Sequence, residues 1–366
     1  MADLEQRQML ADTAERLFAA APRSAATDAA GFDTALWAQV VELGLSSLLV
    51  PEAQGGFGGD WEDAGVVLQA AGFHAVPVPL AEHLIGVQLA AESGIALPTD
   101  SANPMLSVAS ALDGRFAAGR IVEGRMRGVP WGQHADAVIA QHPDDGHGLA
   151  LLLRRADATE VTSQSNPAGE PRDTLAFRDT AFTVGAPMAE ALTLHERLAL
   201  ARCAQIAGAM RAALKLSVDY AGTRKQFGRA IGQFQAVQQQ LAQFGAEVAA
   251  ASAAASAACR AASRMDTRVS AADARFAIGA AKLRCNLAIG LATSIAHQVR
   301  AAIGFTHEYD LRRSTQRLWS WRSEAGNDRE WSERLGREVC ARGADHFWAD
   351  LTARDDAASE PRGELR

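Results

Sequence analysis

The sequence predicts an α+β fold that is mostly α, with an N-terminal helical domain over 1–102, a small central antiparallel β-domain over 103–187 and a C-terminal antiparallel four-helix bundle over 188–366. Three observations predict it. Apolar residues recur at helical spacing over the first hundred residues. The periodicity then shortens to turn-bounded, partly alternating runs, as strands with one wet face require. After that an Ala-rich helical pattern resumes and holds to the end. A chain of 366 residues is also longer than a single core of ordinary size, so two or three packed units are expected.

In the first region Leu4, Met9, Leu10, Leu17 and Phe18 mark one helix, and Leu36, Val40, Val41 and Leu43 in "FDTALWAQVVELGL" mark another. "VPEAQGGFGGDWEDAG" resembles a phosphate loop, but no Lys-Ser/Thr follows it, so an interhelical loop is expected. "AGFHAVPVPLAEHLIGVQLAAESG" supplies a Pro-bounded connection and a further helix. "MLSVASAL", "GRFAAGRIVEGRMRGV", "DAVIAQ", "GLALLLRR" and "TLAFRDTAFTV" read as the strands. Between two of them "HPDDGHG" gathers His142, Asp144, Asp145 and His147, more in keeping with a polar hairpin tip than a metal site. The bundle starts with one long helix from about 194 to Gly222, where the C-terminal glycine rule ends it. Two more follow, the second capped by Ser270. Their small residues let helices approach closely, and faces apolar all round have to be covered, so an oligomer is expected.

A formal charge of -7 and a pI near 5.8 exclude the basic face that nucleic-acid binding needs. Cys203, Cys259, Cys285 and Cys340 form no CxxC pair, so neither a zinc site nor a disulfide framework is expected. No stretch approaches a membrane span, and the N-terminal residues lack the apolar core of a secretory signal. A cytoplasmic protein in a reducing compartment is the expectation.

The basic, Gly-punctuated turn between the first two bundle helices, "YAGTRKQFGRAIGQFQAVQQQLAQF", resembles the flavin-binding segment of the acyl-CoA dehydrogenases. "VPEAQGGFGG" and "HQVRAAIGFTHEYDLRR" resemble two further segments of that family, in the same order. The resemblance implies FAD as cofactor, with Arg224, Gln226, Phe227, Gln235, Gln298 and Gly304 contacting it, the arm 224–235 reaching the flavin of a neighbouring subunit. Arginine's planar fork suits phosphate oxygens. A basic turn capping helix carbonyls fits Arg224 as well. The resemblance further implies an acyl-CoA substrate, desaturated next to its thioester carbonyl, and an electron-transfer flavoprotein or similar acceptor.

Such chemistry needs a carboxylate base whose pKa rises as water leaves the site. By ungapped counting, the family's usual position falls on Ala325 and its second position on Leu198. The nearest carboxylates are Glu324, one residue off, and Glu196, two residues off, and these are the candidate catalytic residues. Glu196 fits equally as an acidic residue complementing a helix N-terminus. The family's paired glycines are Ala301 and Ala302 here, and the Thr-Glu-Pro stretch of its β-domain is missing. Trp131 reads as a stacking residue or a buried anchor. These departures resemble the heteromeric acyl-CoA dehydrogenases of steroid degradation, which implies a bulky, steroid-like acyl group and either a homotetramer or a heterotetramer with a paralogous subunit. Two alternatives stand beside that reading: a non-catalytic subunit completing a partner's FAD site, and a flavin monooxygenase of the same fold.

Overall fold

In the computed structural model, residues 2–359 are described apart from 22–30, 100, 111, 118, 142–149, 189–190, 266–267 and 301–309. Helix α1 (Ala2–Ala20) turns Leu10, Ala14 and Phe18 inward at i, i+4 and i+8 and leaves Leu4 and Met9 exposed, so the buried stripe is narrower than the sequence pattern. Helix α2 (Thr34–Glu42) starts where the Asp33 carboxylate accepts the Leu36 N–H at 2.9 Å. The glycine-rich segment is an interhelical connection that hands over to α3 (Trp61–His74). There Asp60 accepts the Glu62 and Asp63 N–H groups while Asp63 accepts that of Asp60, a reciprocal cap. Helix α4 (Leu80–Ser93) is buried along most of its length.

Ten strands are found among the described residues, eight of them in two four-stranded sheets. One sheet runs β1 (Leu106–Ala109), β4 (Ala137–Gln141), β5 (Ala150–Arg154), β8 (Thr183–Val184); the other runs β2 (Leu112–Ala117), β3 (Arg120–Pro130), β7 (Arg172–Ala181), β6 (Glu160–Thr162). All pairs are antiparallel except β1 with β4, which run parallel from Leu106 opposite Ala137 to Ala109 opposite Ala140. The hairpin of β2 and β3 supplies the long crossover that a parallel pair needs. Every residue of β1, and all of β4 before Gln141, is buried, so these two strands lack the wet face that the sequence pattern predicts. Trp131 is a buried anchor beside Phe32, with ring centroids 6.1 Å apart. The "HPDDGHG" residues lie outside the described residues.

Helices α5 (Leu194–Thr223), α6 (Gln235–Ser263), α7 (Ala271–Arg300) and α8 (Asp310–Ser323) form the bundle, followed by α9 (Asp328–Arg342) and α10 (Ala344–Ser359). Ser270 caps α7 by accepting the Asp273 N–H at 3.1 Å. Helices α3 and α5 cross backbone to backbone. A Cβ on Gly208 would lie 1.9 Å from the Gln69 carbonyl, and one on Gly72 would lie 2.1 Å from that of Gln205. Gly222 does not end α5; the helix runs through it to Thr223 and stops at Arg224, whose backbone turns extended. A two-stranded hairpin of β9 (Lys225–Gln226) and β10 (Arg229–Ala230) follows. Its turn residues Phe227 and Gly228 have φ of 51° and 79°, the pattern of a two-residue hairpin turn, and the glycine carries its share without strain.

His83 on α4 is buried at the junction of the helices with β1. Its Nδ1 accepts the Leu106 N–H at 3.0 Å, and burial pushes its pKa down to about 4. An unfolded histidine titrates near 6.5, so the unfolded chain binds the extra proton first. Stability is expected to fall as pH drops from about 6.5 through about 4. Replacing His83 with Gln should flatten that part of a melting-temperature profile against pH.

Candidate active site

At the junction of the β-sheets with α5 and α8 lies a cavity of about 410 Å³, lined by Val108, Ser110, Gly128, Pro130, Arg172, His195, Leu198, Arg202, Ser323, Glu324, Ala325 and Gly326. Both positions at which the family places its base, Leu198 and Ala325, face this one space. Neither carries a carboxylate.

Glu324 follows the last turn of α8, where Ala325 and Gly326 take φ of 52° and 95°. Its Oε1 accepts Arg172 Nε at 2.9 Å and Asn166 Nδ2 at 3.1 Å, while its Oε2 accepts Arg172 Nη2 at 3.0 Å and Arg202 Nε at 2.9 Å. Every lone pair of the carboxylate is thus used. Burial alone would raise its pKa, but Arg172 and Arg202 outweigh burial and hold it below the usual carboxylate range. A carboxylate in that state is a weak proton acceptor.

Glu324 belongs to a larger cluster. Arg202 also binds Glu82 of α4 and Gln205 one turn on, and it lies over the Trp321 ring. Glu170 accepts Arg317 Nε at 3.1 Å and Trp321 Nε1 at 3.0 Å from α8, and Arg172 Nη2 at 3.1 Å from the start of β7. Burial pushes the Glu170 pKa up, and Arg172 and Arg317 bring it down to about 2. Lys282 of α7 closes the cluster from below. Its ammonium donates to Asn286 Oδ1 at 2.7 Å and to the carbonyls of Trp321, Arg322 and Gly326, each at 3.1 Å, fixing the 323–326 turn. Burial lowers its pKa to about 8.

Glu196 is placed elsewhere. Buried at 1 % exposure, its Oε2 accepts the Thr193 N–H at 2.9 Å and its own N–H donates to Thr193 Oγ1 at 3.2 Å, a capping box at the start of α5. Its Oε1 pairs with Arg334, and Arg275 lies 3.4 Å from Oε2. Burial opposes ionisation, but the Thr193 N–H and Arg334 outweigh it and hold the carboxyl below the usual range. Glu196 does not line the cavity.

The expected flavin contacts gather at the other end of α5. Arg224, Gln226 and Phe227 are exposed on the β9–β10 hairpin, Phe227 at 92 %, and Gln235 is the exposed first residue of α6. Among the described residues the Arg224 guanidinium has no partner, and Phe234 gives α6 no side-chain cap. A free arginine beside an uncapped helix N-terminus suits a pyrophosphate, so these residues fit FAD. Gln298 is exposed on the last turns of α7, where Arg300 donates to the Leu216 carbonyl at 3.0 Å and holds that helix end against α5. Gly304, Ala301 and Ala302 lie outside the described residues. Among the described residues no group of three His, Cys, Asp or Glu side chains is placed to hold a metal, and no helix is long and apolar enough to cross a membrane.

The charged cluster escaped the sequence reading, although a signal was present. Arg202 in "LALARCAQIAG" and Lys282 in "GAAKLRCNLAIG" each interrupt a helix face that is otherwise apolar, and a buried charge has to be paired. Nothing local reveals Glu82 and Glu324 as the partners of Arg202, or the carbonyls of Trp321, Arg322 and Gly326 as those of Lys282.

The chain belongs to the acyl-CoA dehydrogenase family and so to the FAD-dependent oxidoreductases that act on acyl-CoA. Models of the N-terminal and C-terminal domains of acyl-CoA dehydrogenase match residues 4–96 and 184–329. It is 30% identical to the acyl-CoA dehydrogenase IpdE2 of Mycobacterium tuberculosis over 341 residues, which cover 92% of this chain and 98% of that protein. The ChsE4-ChsE5 complex from the same organism shares the fold, with a TM-score of 0.75 at 23% identity over 91% of this chain and 97% of that one. A steroid acyl-CoA dehydrogenase variant, Tcur3481-Tcur3483, superposes with a TM-score of 0.76 at 23% identity, covering 93% and 99% of the two chains.

Two outcomes follow for stability. Arg202→Met takes the guanidinium away from Glu82 and leaves Glu324 to Arg172 alone, and should cost about 3–5 kcal/mol in chemical denaturation. Glu196→Gln should cost only about 1–2 kcal/mol, the scale of a lost cap, and leave kcat unchanged; a collapse of kcat would make Glu196 the base after all.

Proposed function

We propose that this protein is an FAD-dependent acyl-CoA dehydrogenase subunit that introduces a double bond next to the thioester carbonyl of a CoA ester. FAD, when bound, supplies the hydride acceptor. The single observation that carries the arrangement is the geometry of α5. The cavity residue Leu198 and the arm residue Arg224 stand at opposite ends of this helix. At 1.5 Å per residue they are about 39 Å apart, farther than one dinucleotide reaches. An arm at that distance serves the flavin over another chain's cavity, so the working enzyme is an oligomer, as in the tetramer the resemblance implies.

A heteromer with a paralogous subunit is the form that Leu198 and Ala325 favour, since both base positions here are apolar. The relation to steroid acyl-CoA dehydrogenases favours a ring-bearing acyl group over a straight chain. An electron-transfer flavoprotein suits the role of acceptor, and a cytoplasmic setting suits the acyl-CoA substrate.

Because Arg224 is exposed and carries no fold contact through its side chain, Arg224→Ala should leave far-UV circular dichroism and melting temperature of the flavin-free protein unchanged. It should weaken FAD binding about 10- to 100-fold, the value of a charge-assisted bond to phosphate. Flavin fluorescence titration, with and without a co-expressed paralogue, measures this. Unaltered affinity would remove the arm from the flavin site, and desaturation of straight-chain thioesters in preference to ring-bearing ones would remove the substrate class.

A further inference from the structure

The cavity holds four titratable side chains, Arg172, His195, Arg202 and Glu324. The two arginines are paired with Glu324 and, behind it, with Glu170 and Glu82, and the lone pairs of Glu324 are all occupied. Of these four side chains His195 alone is not paired with another of them, and its neutral ring can take up a proton. We infer that His195, held against Trp331 and facing the Glu330 carboxylate, is the base that removes the proton from the carbon next to the thioester carbonyl in this chain's cavity. The inference rests on the thioester reading above.

Its place on α5 and two contacts set the ring. It occupies the first turn of α5, three residues before Leu198, so it reaches the same cavity wall as the family's second base position. It stacks on Trp331 of α9 at 5.5 Å between centroids and 25° between planes. Its buried Nε2 lies 3.1 Å from Glu330 Oε1, close enough for a charge contact but not aligned for a hydrogen bond, which leaves Nδ1 as the nitrogen for a substrate proton. The charges facing it are Glu196 on its own helix, Glu330 and Arg334 on α9, and Lys282 on α7. Burial lowers the imidazole pKa, which keeps the ring neutral and able to accept. In the step proposed, the α-C–H bond breaks and its electron pair passes onto the thioester carbonyl as an enolate. The proton ends on His195, where the Glu330 carboxylate stabilises the imidazolium as it forms.

The proton step can be read apart from turnover. Flavin-loaded protein, with the paralogous subunit when it co-purifies, is reduced with dithionite and incubated in D2O with 3-cyclohexylpropanoyl-CoA, and α-deuteration is followed by mass spectrometry. Wild type should exchange, with a rate that rises through one ionisation. His195→Gln should lose about 100-fold or more. Glu330→Gln, which leaves the ring in place, should shift the ionisation to lower pH and slow exchange less, an effect that a purely structural role would not produce. Exchange retained in His195→Gln, or lost in Glu324→Gln instead, overturns the inference. So does a wild type that binds the thioester in equilibrium dialysis without exchanging it, a result that leaves the dehydrogenase reading intact and puts the base on the partner chain. A wild type that does not bind the thioester at all removes both.

Discussion

The structure turns on Arg202. Its guanidinium sits at the one place where α4, the β-sheets, α5 and the end of α8 meet, and it holds Glu82, Gln205 and Glu324 at once. With Arg172 and Arg317 it faces Glu82, Glu170 and Glu324, so three positive charges are set against three negative ones in a space largely closed to water. Removing such charges from water costs several kcal/mol each, and pairing of good geometry only offsets that cost. The cluster therefore adds little net stability over an apolar core. Its effect is to specify: each guanidinium fork accepts one arrangement of the carboxylates around it, and that fixes how the two helical regions stand on the sheets.

The same cluster shapes the chemistry. It occupies the wall where the family's catalytic carboxylate stands and converts the nearest glutamate into a structural anion. Lys282, by gathering the carbonyls of Trp321, Arg322 and Gly326, holds the turn that presents Ala325 to the cavity. What remains there to accept a proton is an imidazole. The hairpin proposed to grip the flavin lies at the far end of α5, exposed and free of the cluster, so in the proposed arrangement the cofactor arm and the substrate cavity of one chain stand at opposite ends of one helix.

The fold was readable because its signals are local. Helical spacing marked α5, α6 and α7, short turn-bounded runs marked β1 and β4, and Ser270 announced the start of α7 through capping chemistry that needs only neighbours. The hairpin over 224–235 stood out for the same reason, since its residues are contiguous. The parallel pairing of β1 with β4 was not, because pairing depends on a crossover and not on either strand. The site was half legible: the two positions reached by counting, Leu198 and Ala325, line one cavity, yet nothing near Glu324 in sequence foretells Arg172, 152 residues away. Glu196 showed the opposite difficulty, a local pattern that suits a cap and a base equally, and only its contacts with Thr193 and Arg334 distinguish the two.

The central claim is that Arg202 and Glu324 act as one unit joining the three regions. A double-mutant cycle of Arg202→Met and Glu324→Gln, read from denaturant midpoints and slopes, tests it most directly. The account predicts a coupling of about 2–3 kcal/mol, at the upper end for residues in one network. Additivity within about 0.5 kcal/mol would show the two residues to be independent and would contradict it.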